Sequence, residues 1–172
     1  ARFYPEKGWL EGVLEDITQQ ENAKELLQER EELYRSLIEN STDAIYLIFN
    51  RRFEMVNPEF QQSFGYSLEE LRNKKIDPIH LIAPESMPAM EERIRKLEEG
   101  EELSTRYEFT AITKNGEKRE IEASVSYVPY KKGRATQGIL RDITERIIYE
   151  KELIIAKERA EESDLLKSAF LA

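Results

Sequence analysis

The chain has no cysteine and one histidine in 172 residues. Without thiols there is no disulfide, no thiolate metal site and no cysteine nucleophile, and the redox compartment stays open on this count. The lone histidine, His80, leaves no Ser-His-Asp set to propose. Its place beside Pro78 and Ile79 reads as a structural, hydrogen-bonded residue in a coreward stretch rather than a haem or metal ligand. Neither GxxxxGK[ST] nor GxGxxG occurs, so there is no phosphate cradle of those types. Long apolar runs are missing too. The longest, Ala44 to Phe49, is far short of the roughly 20 residues that span a bilayer. Arg2, Glu6 and Lys7 stand where a signal peptide would carry its apolar region, so a soluble piece with no direct membrane contact is expected.

What the chain has in excess is charge. It carries 35 acidic and 26 basic side chains, a formal net charge of −9, with 35% charged and 40% hydrophobic residues. That balance fits one globular domain with long solvated helices outside its core. It argues against nucleic acid as a partner, because a negative surface gains nothing from counterion release. Runs such as Glu98-Glu99-Gly100-Glu101-Glu102 read as solvated helix ends, and no metal site is expected from them.

An internal repeat organises the chain. EGVLEDIT at 11–18 returns as QGILRDIT at 137–144, each after a basic, glycine-containing stretch and each before a charged helical pattern. Residues 1–18 are therefore expected to be the C-terminal strand of a preceding domain. Residues 19–41 form a linker helix in which Ala23, Leu26, Arg30, Leu33 and Leu37 make a heptad seam with one charged intruder. A short coiled coil and an amphipathic helix lying on the next domain both fit that seam.

The central domain, 42–144, mixes strand and helix. Two β-rich runs flank Asn50-Arg51-Arg52, a hairpin by position though without glycine. Asn57-Pro58 reads as an N-cap followed by proline at the first helical position. Ser67 to Glu70 is a capping box, and Met87, Met90, Ile94 and Leu97 give a longer helix (88–99) one apolar face before Gly100. Lys114-Asn115-Gly116 marks a hairpin between strands at 103–113 and 119–130. In the second of these Ile121, Ala123, Val125 and Tyr127 alternate with polar residues, so one face is buried. A last strand covers 136–143. The predicted class is α+β, a five-stranded antiparallel sheet with helices on one face, flanked by long N- and C-terminal helices.

Asp142-Ile143-Thr144-Glu145 reads as a second capping box, with Asp142 capping and Glu145 at N3 where strand becomes helix, and Asp16-Ile17-Thr18-Gln19 repeats it upstream. Residues 145–170 contain neither proline nor glycine. Their apolar stripe (Ile147, Ile154, Ala160, Leu165, Phe170) is broad and asks for a partner surface.

Together, Val56-Asn57-Pro58, Phe64-Gly65-Tyr66-Ser67 with Glu70-Leu71, Glu108-Phe109 before Lys114-Asn115-Gly116, and Gly138 with Asp142-Ile143-Thr144 resemble a PAS sensory domain over about 33–146. The first hairpin departs from the pattern by lacking Asp and Gly, and Ala83-Pro84-Glu85 stands where many relatives carry His-Pro-Glu. The segment 157–172 is similar to the helix leading toward the phosphoacceptor region of sensor histidine kinases. The resemblance implies a cytoplasmic signal-relay domain of a two-component kinase, itself without catalytic residues, acting in a phosphorelay. It implies a parallel homodimer through the flanking helices, with neighbouring PAS and kinase domains and a signal junction at Asp142, Ile143, Thr144 and Glu145. No cofactor is predicted, and with no cysteine the flavin adduct of light-sensing relatives cannot form. Phe60, Phe64, Met90, Ile94, Phe109, Ile121 and Tyr127 either fill a core or line a pocket between sheet and helices. A receptor for a small molecule or a flavin-type cofactor, and a module of a nucleotide cyclase, are the alternative readings.

Overall fold

The structure is a computed structural model that describes residues 2–4, 9–11 and 18–171. It divides into two units, residues 1–38 and 39–172, taken here in turn. In the first, β1 (Arg2–Tyr4) and β2 (Trp9–Glu11) form an antiparallel hairpin, and α1 covers Thr18–Glu39. The seam residues Leu26, Leu33 and Leu37 are exposed. Most of the upstream repeat and its capping box, 12–17, lie outside the described residues.

The second unit holds β3 (Ala44–Phe49), β4 (Arg52–Val56), α2 (Pro58–Phe64), α3 (Leu68–Asn73), a 3-10 helix (Pro78–Leu81), α4 (Met87–Glu98), β5 (Arg106–Ile112), β6 (Lys118–Tyr130), β7 (Gly133–Asp142) and α5 (Thr144–Leu171). The five strands form one antiparallel sheet in the order β4-β3-β7-β6-β5. The expected fold class is what the chain adopts. The hairpin without glycine is a two-residue turn in which Asn50 and Arg51 both take positive φ, 50° and 59°. That is the backbone a tight hairpin requires, met here without glycine. The Asn-Gly hairpin is longer: Gly116, at φ 82°, donates to the Thr113 carbonyl at 2.9 Å, and Ile112 pairs with Lys118. The preceding strand starts at Arg106 rather than 103.

The core lies between the inner face of the sheet and α2 and α3. Phe60 and Phe64 are stacked with centroids 4.7 Å apart and fully buried, each worth about 1.5–3 kcal/mol of transfer energy. Alanines 44, 111 and 123 keep the sheet floor low. Asn57, 2% exposed, ties strand to helix: its Oδ1 accepts from Phe60 N (3.0 Å) and Ile45 N (2.8 Å), and its Nδ2 donates to the Asp43 carbonyl. The Ser67–Glu70 capping box closes in both directions. Two expectations need correction. His80 is exposed, with no side-chain hydrogen bond among the described residues, because the 3-10 helix turns Leu81 into the core instead. The second capping box does not form. Asp142 Oδ1 accepts from Thr144 N at 2.9 Å, but Glu145 makes no bond back to Asp142, which is still the last residue of β7, paired with Ile121. Among the described residues no helix is long and apolar enough to cross a membrane.

Candidate functional site

Two places stand out, a cleft under α4 and the junction where β7 becomes α5. The cleft has a volume of about 360 Å³, at the small end of ligand sites, which run about 300–1,000 Å³. It exists because α4 does not fill the inner face: none of its residues is buried, and Met90 and Ile94 stand over the gap. Phe53, Phe60, Phe64, Phe109 and Leu140 supply apolar wall, and the Arg51–Asp77 ion pair (2.7 Å) sits at its lip. Of the seven lining candidates read from the sequence, Phe60, Phe64, Met90, Ile94 and Phe109 line this cleft. Ile121 does not; it is 1% exposed and packed into the core beneath. Tyr127 does not either, since it lies beyond Val125 on the inner face and is 45% exposed.

Sequence reasoning missed Tyr46. Its ring lies over Gly138, its partner on β7, and is edge-on to Phe53 and Phe60. Burial, reinforced by the nearby Tyr107 and Tyr127 phenols and only partly offset by Arg93, holds its hydroxyl well above the usual tyrosine range. Tyr107 is pushed up for the same first reason, burial. A lone glycine within a strand was the available signal, since such a residue often marks a close approach.

At the junction, Ile143 is 3% exposed and donates to the Glu120 carbonyl at 2.8 Å. Thr144 Oγ1 accepts the Glu120 N–H at 2.9 Å, so the first residue of α5 is bonded to β6. Asp142 holds Thr144 N and also pairs with Arg119 at 3.1 Å. Arg119 reaches Glu117 through its other terminal nitrogen, while its Nε is buried without a hydrogen-bond partner. Arg146, in the first turn of α5, pairs with Glu108 of β5 at 3.0 Å. Three of the four junction residues read from the sequence are thus brought together, and Glu145 is not bonded to them. Beyond this point α5 has no buried residue and exposes Ile148, Leu153, Ile154, Leu165 and Phe170. No group of three or more His, Asp or Glu side chains among the described residues could hold a metal ion.

Comparison with known proteins places this geometry. The PAS domain family model matches residues 42–145. The methyl sulfide methyltransferase-associated sensor of Methanosarcina acetivorans is 28% identical over 147 residues, 84% of this chain and 14% of that protein. The virulence sensor protein BvgS of Bordetella bronchiseptica is 25% identical over 169 residues, again 14% of its length, so the chain spans about a seventh of both relatives. Among solved structures, the PAS domain of an HTR-like protein from Haloarcula marismortui superposes with a TM-score of 0.56 at 20% identity, covering 72% of this chain and 99% of that one. A domain of a sensory box sensor histidine kinase/response regulator from Geobacter sulfurreducens does so at 0.51 and 26%, covering 67% and 96%. With the family model matched across the whole five-stranded unit, this chain belongs to the PAS domain family.

Proposed function

We propose that this PAS domain is a signal relay of a two-component sensor histidine kinase, working on the cytoplasmic side and carrying no catalysis itself. A change in the cleft, or in a preceding domain, shifts β6 and β7 and is passed through Asp142, Ile143 and Thr144 to α5. The observation that carries this reading is the Thr144 Oγ1 bond to Glu120 N, which makes the first residue of the helix a ligand of the sheet. A small displacement of β6 therefore has to move α5 or break that bond. Two helix arrangements separated by a few kcal/mol are enough for a switch, since allosteric coupling is typically about 1–3 kcal/mol.

The exposed apolar residues of α5 support a parallel homodimer through this helix, because 28 residues of helix without a buried side chain have nothing else to pack on in this unit. Both relatives named above are sensors by name, and the kinase output is inferred from the C-terminal helix and that kinship. The test uses the full-length parent. Thr144→Val and Asp142→Ala should leave the domain folded and abolish or strongly reduce the dependence of autophosphorylation on the signal. Kinase activity that responds as in the wild type in both variants overturns the relay.

A further inference from the structure

Ser86 stands where a helix cap belongs, immediately before α4, and bonds elsewhere. Asn57, Ser67 and Asp77 open their helical turns from extended backbone, at ψ 171°, 156° and 135°, and each side chain accepts an amide of the turn it opens. Ser86 has ψ −10° and makes no such bond. Its hydroxyl oxygen accepts the Thr110 N–H at 2.8 Å. The Thr110 carbonyl accepts Ala83 N at 2.9 Å, so the segment leading into α4 holds both backbone groups of this residue on the edge strand β5. On its other side Thr110 is in register with Glu120 of β6. The backbone of Glu120 faces away from it, to Thr144 Oγ1 and Ile143 N, so the two residues form a pair without ladder bonds of its own. What joins them is the Thr110 hydroxyl, which donates to the Glu120 carboxylate at 3.2 and 3.3 Å. Bonded groups thus run from the start of α4, through one residue of β5 and one of β6, to the start of α5.

We propose that Ser86, Thr110 and the Glu120 carboxylate are positioning residues of the junction, through which a displacement at the start of α4 reaches α5. The proposal rests on the relay reading and adds an input to it, entering from α4 by way of β5. Coupling over such a distance needs an element with two arrangements, and Ser86 supplies one. Its hydroxyl holds Thr110 in the arrangement described. In the other it turns to α4 from extended backbone, as Ser67 does for α3. Pro88 has no N–H, so Ala89 N is the amide such a cap takes. Extended backbone at Ser86 carries the hydroxyl away from β5, so the cap forms as the bond to Thr110 breaks. One hydrogen bond replaces another, which keeps the two arrangements close in energy. α4 is free to follow the change, because none of its residues is buried. Release of the Thr110 N–H loosens the hydroxyl that steadies Glu120, and the Glu120 backbone is the seat of Thr144 and Ile143.

The test is amide hydrogen exchange on the 172-residue chain, read at the junction, in variants altered only at the α4 end of the track. Ser86→Ala and Thr110→Val each remove a hydroxyl that touches neither Thr144 nor Ile143. Both should speed exchange at Glu120, Ile143 and Thr144 by about twofold to thirtyfold, the span of couplings carried by such networks. Ile45 and Phe60, held by Asn57, should exchange as in the wild type. Ser86→Thr and Thr110→Ser, which keep a hydroxyl at each place, should restore protection at the junction. Wild-type exchange at Glu120 and Thr144 in both hydroxyl-deleted variants would overturn the proposal. Equal acceleration at Ile45 and Phe60 would do so as well, since it reports a general loss of stability, and so would failure of the hydroxyl-keeping variants to restore protection. Thr144→Val serves as the reference for the relay itself. If it exposes the junction amides while Ser86→Ala and Thr110→Val leave them protected, the input from α4 falls and the relay stands; if Thr144→Val leaves Ile143 and Thr144 protected, the relay reading falls with it.

Discussion

The Tyr46 ring occupies the space that any side chain at Gly138 would need. A Cβ built on Gly138 would come within 2.1 Å of Tyr46 Cζ and 2.4 Å of its hydroxyl oxygen, although the two residues sit in register on β3 and β7. The glycine is thus the seat of the Tyr46 ring on the cleft wall. Gly138→Ala should destabilise the domain by about 1–3 kcal/mol, the usual cost of overpacking a filled site, measured by urea unfolding. In a Tyr46→Ala background the same change should cost much less, because the obstructing atoms are gone. Equal costs in both backgrounds would show that the pair is not the source of the strain.

Tyr46 also sets a pH dependence. Burial raises its folded-state pKa above the ordinary tyrosine value, with Tyr107 shifted in the same direction. A group raised in the folded state contributes stability that is complete below the unfolded pKa and is lost as pH climbs from there toward the folded value. Unfolding free energy should therefore decline above about pH 10 in the wild type. In Tyr46→Phe that decline should be shallower, leaving the share that belongs to Tyr107.

Asn57→Ala removes these three bonds and leaves Ile45 N and Phe60 N to find other partners beside a buried site, while the Asp43 carbonyl keeps the Ser41 hydroxyl. The loss combines a helix cap with unsatisfied buried groups and should reach about 2–4 kcal/mol in chemical denaturation. Asn57→Asp keeps the acceptor and forfeits only the amide donor to Asp43, so it should fall between wild type and alanine at neutral pH.

Much of the architecture was legible because local rules and tertiary packing agree. Alternation at 121–125 matched burial residue by residue, and the Asn57 cap and Ser67–Glu70 box are local events that need no partner at a distance. Alternation gives the face but not the depth, which is why Ile121 and Tyr127 were grouped with the cleft residues although one is beneath it and the other outside it. The apolar face of α4 was visible as spacing, whereas the cleft it leaves over the inner face depends on tertiary packing that spacing does not encode. The junction was visible as Asp-Ile-Thr, but the decisive partner of Thr144 is a backbone N–H 24 residues earlier, and a backbone group has no sequence signature. His80 was misjudged because apolar neighbours indicate a buried segment without saying which of its residues faces in.

The central claim is that Thr144 joins the sheet to α5, and amide hydrogen exchange reads that joint directly. In the wild type the amides of Glu120, Ile143, Thr144 and Ile147 are bonded to Thr144 Oγ1, the Glu120 carbonyl, Asp142 Oδ1 and the Ile143 carbonyl in turn. In Thr144→Val these four should lose protection together, while Ile45 and Phe60, held by Asn57 at a separate site, keep theirs. Loss confined to Glu120, with Ile143, Thr144 and Ile147 unchanged, would mean that the helix start holds without the bond to β6 and would contradict the account.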